Sequence, residues 1–298
     1  MIGFNGGLIG GLATDRNTSL DSAKGVWTLP EQRNAKLANL WPLAGLKLLD
    51  VYTGASAAYS LRQLSNSYTG SLVTVRRSVD NSEQGFTESQ IIGSGAGSLA
   101  DFCSGTNGFV KTWHDQSGNA NNATQATAAN QPQIVTSGTV DTSNGKPCLT
   151  YSSAGSSNLT LATRLTGVVS VFQVLQITSS LTTDNINFIL GDNSNYDYHS
   201  GGTYWLLSGV SANSVLNGSN RINNVVSTLT TTAKTTNQTL ISMVHSGTAT
   251  VSTLTQDRGY GDRSLRGNMQ ELILYSSSQT SNVAGINADI NLHYSIYV

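Results

Sequence analysis

Between residues 46 and 275 the apolar positions fall in short runs separated by Gly, Asn and Ser, a spacing that predicts β-strands. Strands are expected at 46–52, 72–76, 109–114, 133–135, 147–151, 168–178, 188–190, 204–207, 240–245, 248–254 and 269–275. Residues 243–251 read as a hairpin turning at Ser246-Gly247, and 57–64 as one or two helical turns. Helices do not alternate with these runs as a βαβ architecture would require, so the pattern predicts an all-β sandwich. The period changes at the C-terminus. Val283, Ile286, Ile290, Tyr294 and Tyr297 share one helical face after Ser281, a plausible N-cap, which predicts a closing amphipathic helix.

Residues 1–45 follow a different pattern. The glycine-rich opening lacks the side chains a core needs. It is followed by Thr28-Leu-Pro-Glu31, a capping-box spacing with Pro in the first turn, and a helix is expected over 29–40, stopped by Pro42. Two domains are therefore expected, 1–45 as an attachment segment and 46–298 as the sandwich. Two readings of the short helix remain open: packing on its own sandwich, or anchoring in a neighbouring subunit. On the anchoring reading the contact residues are Phe4, Leu8, Ile9, Trp27, Leu37, Leu40 and Trp41.

Composition narrows the function classes. Charged residues make up 11% of the chain and the net charge is −1, so no basic field exists to gather phosphates and nucleic-acid binding is not expected. The first residues lack a basic start and an unbroken apolar run, so no signal peptide is read there, and no stretch is apolar enough to span a membrane. The mixture rich in Ser, Thr, Asn and Gly suits extracellular β-structure. Cys103 and Cys148 are expected to be reduced.

Three segments carry a family resemblance. They are 57–64 with Tyr68-Thr-Gly70 and Val75-Arg-Arg-Ser-Val-Asp-Asn81, then Asp101-Phe-Cys-Ser-Gly-Thr-Asn-Gly108, then Thr112-Trp-His-Asp-Gln-Ser-Gly-Asn119. In that order they resemble the catalytic-domain sandwich of the α-L-arabinofuranosidase B family of glycoside hydrolases, over residues 47–151. Residues 267–275 with the final helix resemble the close of laminin-G-like sandwiches. The resemblance implies a concanavalin A-like jelly-roll fold. It also implies a cysteine at the position of Gly108, bridged to Cys103; glycine here leaves Cys103 without that partner. The opening residues, with 25–32 and 40–42, are similar to N-terminal segments of bacteriophage structural proteins.

An arabinofuranosidase needs two carboxyl groups flanking the scissile bond. The family places its nucleophilic Glu mid-sandwich, yet the nearest stretch, 189–207, contains none. Asp192 and Asp197 could substitute, although their Asp-Asn-Ser-Asn context reads first as turn chemistry. The expectation is a protein without catalytic activity. Tyr196, Tyr198, His199, Tyr204 and Trp205 form the candidate carbohydrate-binding cluster, since flat aromatic faces stack on sugar rings; core packing is the competing reading. Asp115 and Asn119 offer oxygen ligands to Ca²⁺ but are too few alone, so a structural turn is preferred and no cofactor is expected.

Together these readings lead to a bacteriophage virion structural protein, a tail fibre, spike or capsid decoration. It would attach to other virion proteins through 1–45, present a lectin-like sandwich to a host-surface glycan, and assemble as a homo-oligomer, with a trimer favoured. The alternatives are a decoration protein that binds no sugar and a polysaccharide depolymerase.

Overall fold

The computed structural model describes residues 17–18, 23–24, 45–151, 156–179, 182, 185–260 and 262–298. The helix expected at 29–40, and Phe4, Leu8, Ile9, Trp27, Leu37, Leu40 and Trp41, lie outside them. The chain divides into two compact units, residues 1–47 and 48–298. In the first, β1 (Asn17–Thr18) pairs antiparallel with β2 (Ala23–Lys24).

The second unit begins with a helical turn, α1 (Leu48–Val51), then β3 (Ala55–Ser60), β4 (Val73–Arg77) and β5 (Glu83–Phe86). Two short helices, α2 (Glu88–Ile92) and α3 (Leu99–Phe102), precede β6 (Gly108–Trp113), β7 (Ala123–Thr124), β8 (Gln133–Thr136) and β9 (Thr139–Val140). A small ribbon of β10 (Thr142–Ser143) and β11 (Lys146–Pro147) leads into β12 (Leu149–Tyr151). Then come the long β13 (Leu159–Ile177), α4 (Asn213–Leu216), β14 (Ser219–Ile222), β15 (Val225–Val226), the long β16 (Thr239–Leu254), β17 (Gly267–Tyr275) and α5 (Val283–Tyr294).

The strands make an antiparallel network in the order β15-β14-β16-β13-β17-β12-β8-β6-β4-β5, with β3 also on β17. One half packs on the other. Tyr59, Val75, Val110, Trp113 and Ile134 share a core with Val171, Leu175, Ile241, Met243 and Leu272, all buried. This is the expected all-β sandwich with its C-terminal helix.

The sheet of β16, β13, β17 and β3 is covered on both faces. Alternate residues Phe172, Val174, Leu240, Ile273 and Tyr275 turn away from the sandwich core and pack with Val283, Ile286, Ile290 and Tyr294 of α5. Asn282, not Ser281, is the N-cap of α5. A bulge in β17 puts Val174 opposite Glu271 and Leu175 opposite Met269, which leaves Gln270 as the extra residue. Met269 and Leu272 can then both face the inner core. Glu271, on the α5 side and fully buried, receives Arg62 Nε at 2.8 Å and Nη2 at 3.0 Å. The same guanidinium donates to Asp289 of α5 at 2.7 Å, so one arginine ties helix to sheet.

Several expectations change. No strand forms at 188–190 or 204–207, where the chain runs as loop with a single bridge at Tyr204. Residues 57–64 hold no helical turns: Ala57 and Ala58 belong to β3, while the helical turn falls earlier at α1, where a strand was expected. Alanine's helix preference of under ~1 kcal/mol yields to pairing with β17, where small side chains suit the space between sheet and α5. The 243–251 hairpin is instead one continuous strand. Gly247 does not take the positive φ of a tight hairpin turn, and β13 follows β16 past this point through register shifts.

Cys103 and Cys148 are free and buried, and burial pushes the Cys103 thiol up to about 11. A Cβ at Gly108 would lie 2.8 Å from Cys103 Sγ. The cysteine that the family resemblance implies at this position therefore has a partner in place. Gly108→Cys should form a disulfide with Cys103 under oxidising conditions, stabilising the fold by about 2 kcal/mol for so short a loop. Loss of free thiol, together with a Tm that falls on reduction, checks this.

Burial works against the charge on Glu271, but Arg62 outweighs it and holds the carboxyl below its usual range. Its contribution to stability is present above the ordinary glutamate pKa of about 4.3 and is lost as pH falls through the lower folded value. Glu271→Gln should cost about 3–5 kcal/mol at pH 7 and flatten the acid limb of the stability profile, measured by urea unfolding.

Candidate active site

Two loops meet beside the end of β16. The first, 188–205, leaves the core through Phe188, Ile189 and Leu190, all buried, and reaches Gly191. Gly191 forms a lone antiparallel bridge with Thr253. Its N–H donates to Thr253 O at 3.0 Å, and its carbonyl accepts from Ser252 N at 3.0 Å. Only glycine fits here, because a Cβ would collide with the Gln256 carbonyl oxygen. The second loop, 255–263, returns beside it. Arg258 N donates to Asp192 O at 3.0 Å, so the segments carrying Asp192 and Asp257 are directly joined.

Both aspartates are buried to 1% exposure. Asp192 receives Arg164 Nε and Nη2, each at 2.8 Å, and the Ser194 and Asn195 N–H groups, each at 2.9 Å. The backbone bonds are the turn chemistry read from the sequence; the arginine, reaching over from β13, is an addition. Burial opposes ionisation, but these donors outweigh it and hold the carboxyl below its usual range. Asp257 lacks backbone donors to its carboxylate among the described residues. Arg258 Nε donates to Oδ1 at 2.9 Å, Arg258 Nη2 to Oδ2 at 3.0 Å, and Arg263 Nη1 to Oδ2 at 2.9 Å. Burial again opposes the charge, and the two arginines again prevail.

A stack of aromatic rings and cations lies over Asp257. The Arg258 guanidinium is 4.5 Å from the Tyr196 ring centroid and 5.2 Å from that of Tyr260, while Arg263 is 4.3 Å from Tyr260. Tyr196 and Tyr260 are 47% and 48% exposed. Two half-exposed tyrosines and guanidinium groups thus lie at the surface beside the buried carboxylate of Asp257.

The five aromatic candidates separate. Tyr196 and Tyr204 are exposed, whereas Tyr198, His199 and Trp205 are buried and cannot offer faces to a ligand on the surface. Tyr198 packs on His245 at 5.6 Å, and His199 meets Phe188 edge-on at 5.1 Å. Burial lowers the His199 pKa below its ordinary value. Trp205 is fully enclosed in the sandwich core. Asp197 is held by Thr250, whose N–H and hydroxyl both donate to its Oδ2.

Asp115 and Asn119 serve the fold. Asp115 Oδ1 accepts from Ala58 N at 2.8 Å and Ser117 N at 2.9 Å, and Oδ2 from Ser117 Oγ at 2.8 Å and Asn121 N at 3.0 Å. Asn119 Nδ2 donates to the carbonyls of Ala55 and Ser56. The turn thus pairs with the edge of β3 like a short extra strand, and a cation would have to displace these bonds.

Strands β3 to β13 and the Asp192 loop fall between residues 50 and 215. Residues 50–215 match the family model of the α-L-arabinofuranosidase B catalytic domain. The chain belongs to that family. Among solved structures it is similar to a mutant of a GH54 α-L-arabinofuranosidase soaked with 4-nitrophenyl α-L-arabinofuranoside, at 15% identity and a TM-score of 0.52, covering 85% of this chain and 66% of that one. It is also similar to a GH54 α-L-arabinofuranosidase soaked with a cyclic sulfate inhibitor, at 16% identity, a TM-score of 0.47 and the same coverage. At 15% identity the first likeness establishes the fold, and the chain spans 66% of the length of these relatives. No curated protein matches.

Family membership overturns the expectation of a non-enzymatic virion structural protein, and with it the tail-fibre and capsid-decoration roles and the placement on a virion particle. Residues 50–215 match a family of glycosidase catalytic domains, which the sequence reading had kept only as its enzymatic alternative. That reading also passed over Asp257, Arg258, Arg263 and Arg164. The visible signal was Asp257-Arg-Gly-Tyr-Gly-Asp-Arg263, a dense set of charges in a chain with 11% charged residues.

Because Trp205 lies in the core, Trp205→Ala should lower stability by about 3–5 kcal/mol rather than trim a surface contact. Denaturant unfolding measures this, and an unchanged midpoint would show that the ring is dispensable to the core.

Proposed function

We propose that this chain is a glycoside hydrolase acting on α-L-arabinofuranosyl groups, with Asp192 and Asp257 as its two carboxylates. One observation carries the assignment beyond family membership: two aspartates of equal burial sit on directly bonded loops but are held by different kinds of partner. Asp192 is fixed partly by backbone N–H groups that cannot leave, which suits the carboxylate that stays ionised as nucleophile or base. Among the described residues Asp257 is held by guanidinium side chains alone, which suits the group that must take up and deliver a proton to the leaving oxygen. Tyr196 and Tyr260 supply the aromatic rim against which a sugar ring can lie.

The full chain should release 4-nitrophenolate from 4-nitrophenyl α-L-arabinofuranoside. Asp192→Asn and Asp257→Asn should each lower kcat about 10²–10⁴-fold while leaving the circular dichroism spectrum unchanged. A wild-type protein that binds the glycoside without cleaving it, or either variant retaining full turnover, refutes the assignment.

A further inference from the structure

We infer that Arg258 is a positioning residue competing with the sugar for the rings of Tyr196 and Tyr260, so that a bound arabinofuranosyl unit draws the Arg258 clamp off Asp257. The inference rests on the proposed reaction and assigns how its proton donor is made. Arg258 is the residue shared by both structures at this point. It supplies two of the three hydrogen bonds received by the Asp257 carboxylate, and its guanidinium covers both exposed rings. Its backbone stands in the left-handed region at φ 44°, next to Gly259 at φ 78°. For arginine this conformation costs roughly 1–2 kcal/mol, so the loop does not favour the clamped geometry by itself. A sugar stacked on either tyrosine takes up ring surface that Arg258 now covers, and both cannot occupy it.

The consequence for Asp257 follows from what remains around it. Its own loop supplies Arg263, with one hydrogen bond, and Tyr260. The facing loop supplies His199, which favours the charged form of Asp257 more weakly than the two arginines, with Tyr196 and Asp192, and β13 supplies Arg164, already bidentate on Asp192. An aspartate at 1% exposure cannot recover the lost bonds from water, so its charged form is destabilised and it takes up a proton.

Carboxyl-carbon NMR of the full chain, labelled at aspartate, reads this without turnover. In the free wild type Asp257 should titrate below the ordinary aspartate range. Saturating methyl α-L-arabinofuranoside should raise its midpoint by at least about one unit, a tenfold change in proton affinity. In Arg258→Gln the midpoint should already be raised and the sugar should not move it further, while Arg258→Lys should restore part of the response. Four results overturn the inference: no binding of the sugar, binding without a shift, the same shift in Arg258→Gln, or a free wild type that titrates normally. If the shift appears but 4-nitrophenyl α-L-arabinofuranoside is not cleaved, hydrolysis falls and the coupling stands; cleavage without the shift gives the reverse.

Discussion

The sheet formed by β13, β16, β17 and β3 is closed off on both faces, by the opposing half of the sandwich and by α5, and the rest of the second unit is arranged around that condition. A strand covered on one side can tolerate a polar alternate row. β17 cannot, so it reads Met-Gln-Glu-Leu-Ile-Leu-Tyr over 269–275, and its two fully buried polar residues, Gln270 and Glu271, must be satisfied internally. Gln270 donates to the carbonyls of Ser143, Lys146 and Pro147, holding the β10–β11 ribbon, and Glu271 takes Arg62. An ion pair so deep is poor evidence of net stabilisation against an apolar replacement, but it is strict about geometry. Arg62, Glu271 and Asp289 meet only when β3, β17 and α5 are all in register. The bulge at Gln270 is what lets one strand carry this charge outward to the helix while still filling the inner core.

That rigid sheet explains why two irregular loops can hold acidic groups in fixed positions. β16 ends at Leu254, and the chain then takes positive φ at Thr255 and again at Arg258, turning back within a few residues. The partner loop is fastened to the same strand through the Gly191–Thr253 bridge. Substituting Gly191 would push the Asp192 segment away from Gln256 and separate the loops, although glycine makes no contact that a sugar could feel. The placing of the two aspartates thus depends on a close backbone approach at Gly191.

Much of the architecture was legible because it follows from period. Alternating and continuous apolar runs marked β4, β6, β8, β12, β13, β16 and β17, and the i, i+3, i+4 set Val283, Ile286, Ile290 and Tyr294 marked α5. The reversal of α1 and β3 was not legible, since three alanines carry a helical preference and only the pairing with β17 and the presence of α5 make small residues necessary there. Nor was the continuity of β16, because a Ser-Gly step signals a turn unless the neighbouring strand shifts register to match. The site was half visible. Asp192 announced itself by its turn context, whereas its arginine comes from β13 and its companion Asp257 lies far along the chain. The absence of Glu from 189–207 pointed to a protein without catalytic activity. The structure instead places a second buried carboxylate against that stretch from a distant loop.

The difference between the two aspartates is best understood through what burial does to each when its cations leave. Moving an ionised carboxylate out of water costs several kcal/mol unless donors replace the lost hydration. Asp192 keeps two backbone N–H donors whatever Arg164 does, so a good part of that replacement is permanent and its charge survives. Among the described residues Asp257 has guanidinium donors alone, and removing them exposes it to the full penalty. The cheapest relief is protonation. Equal burial would thus drive the two groups toward opposite protonation states if a ligand drew the arginines away, the division that the proposed hydrolysis would use.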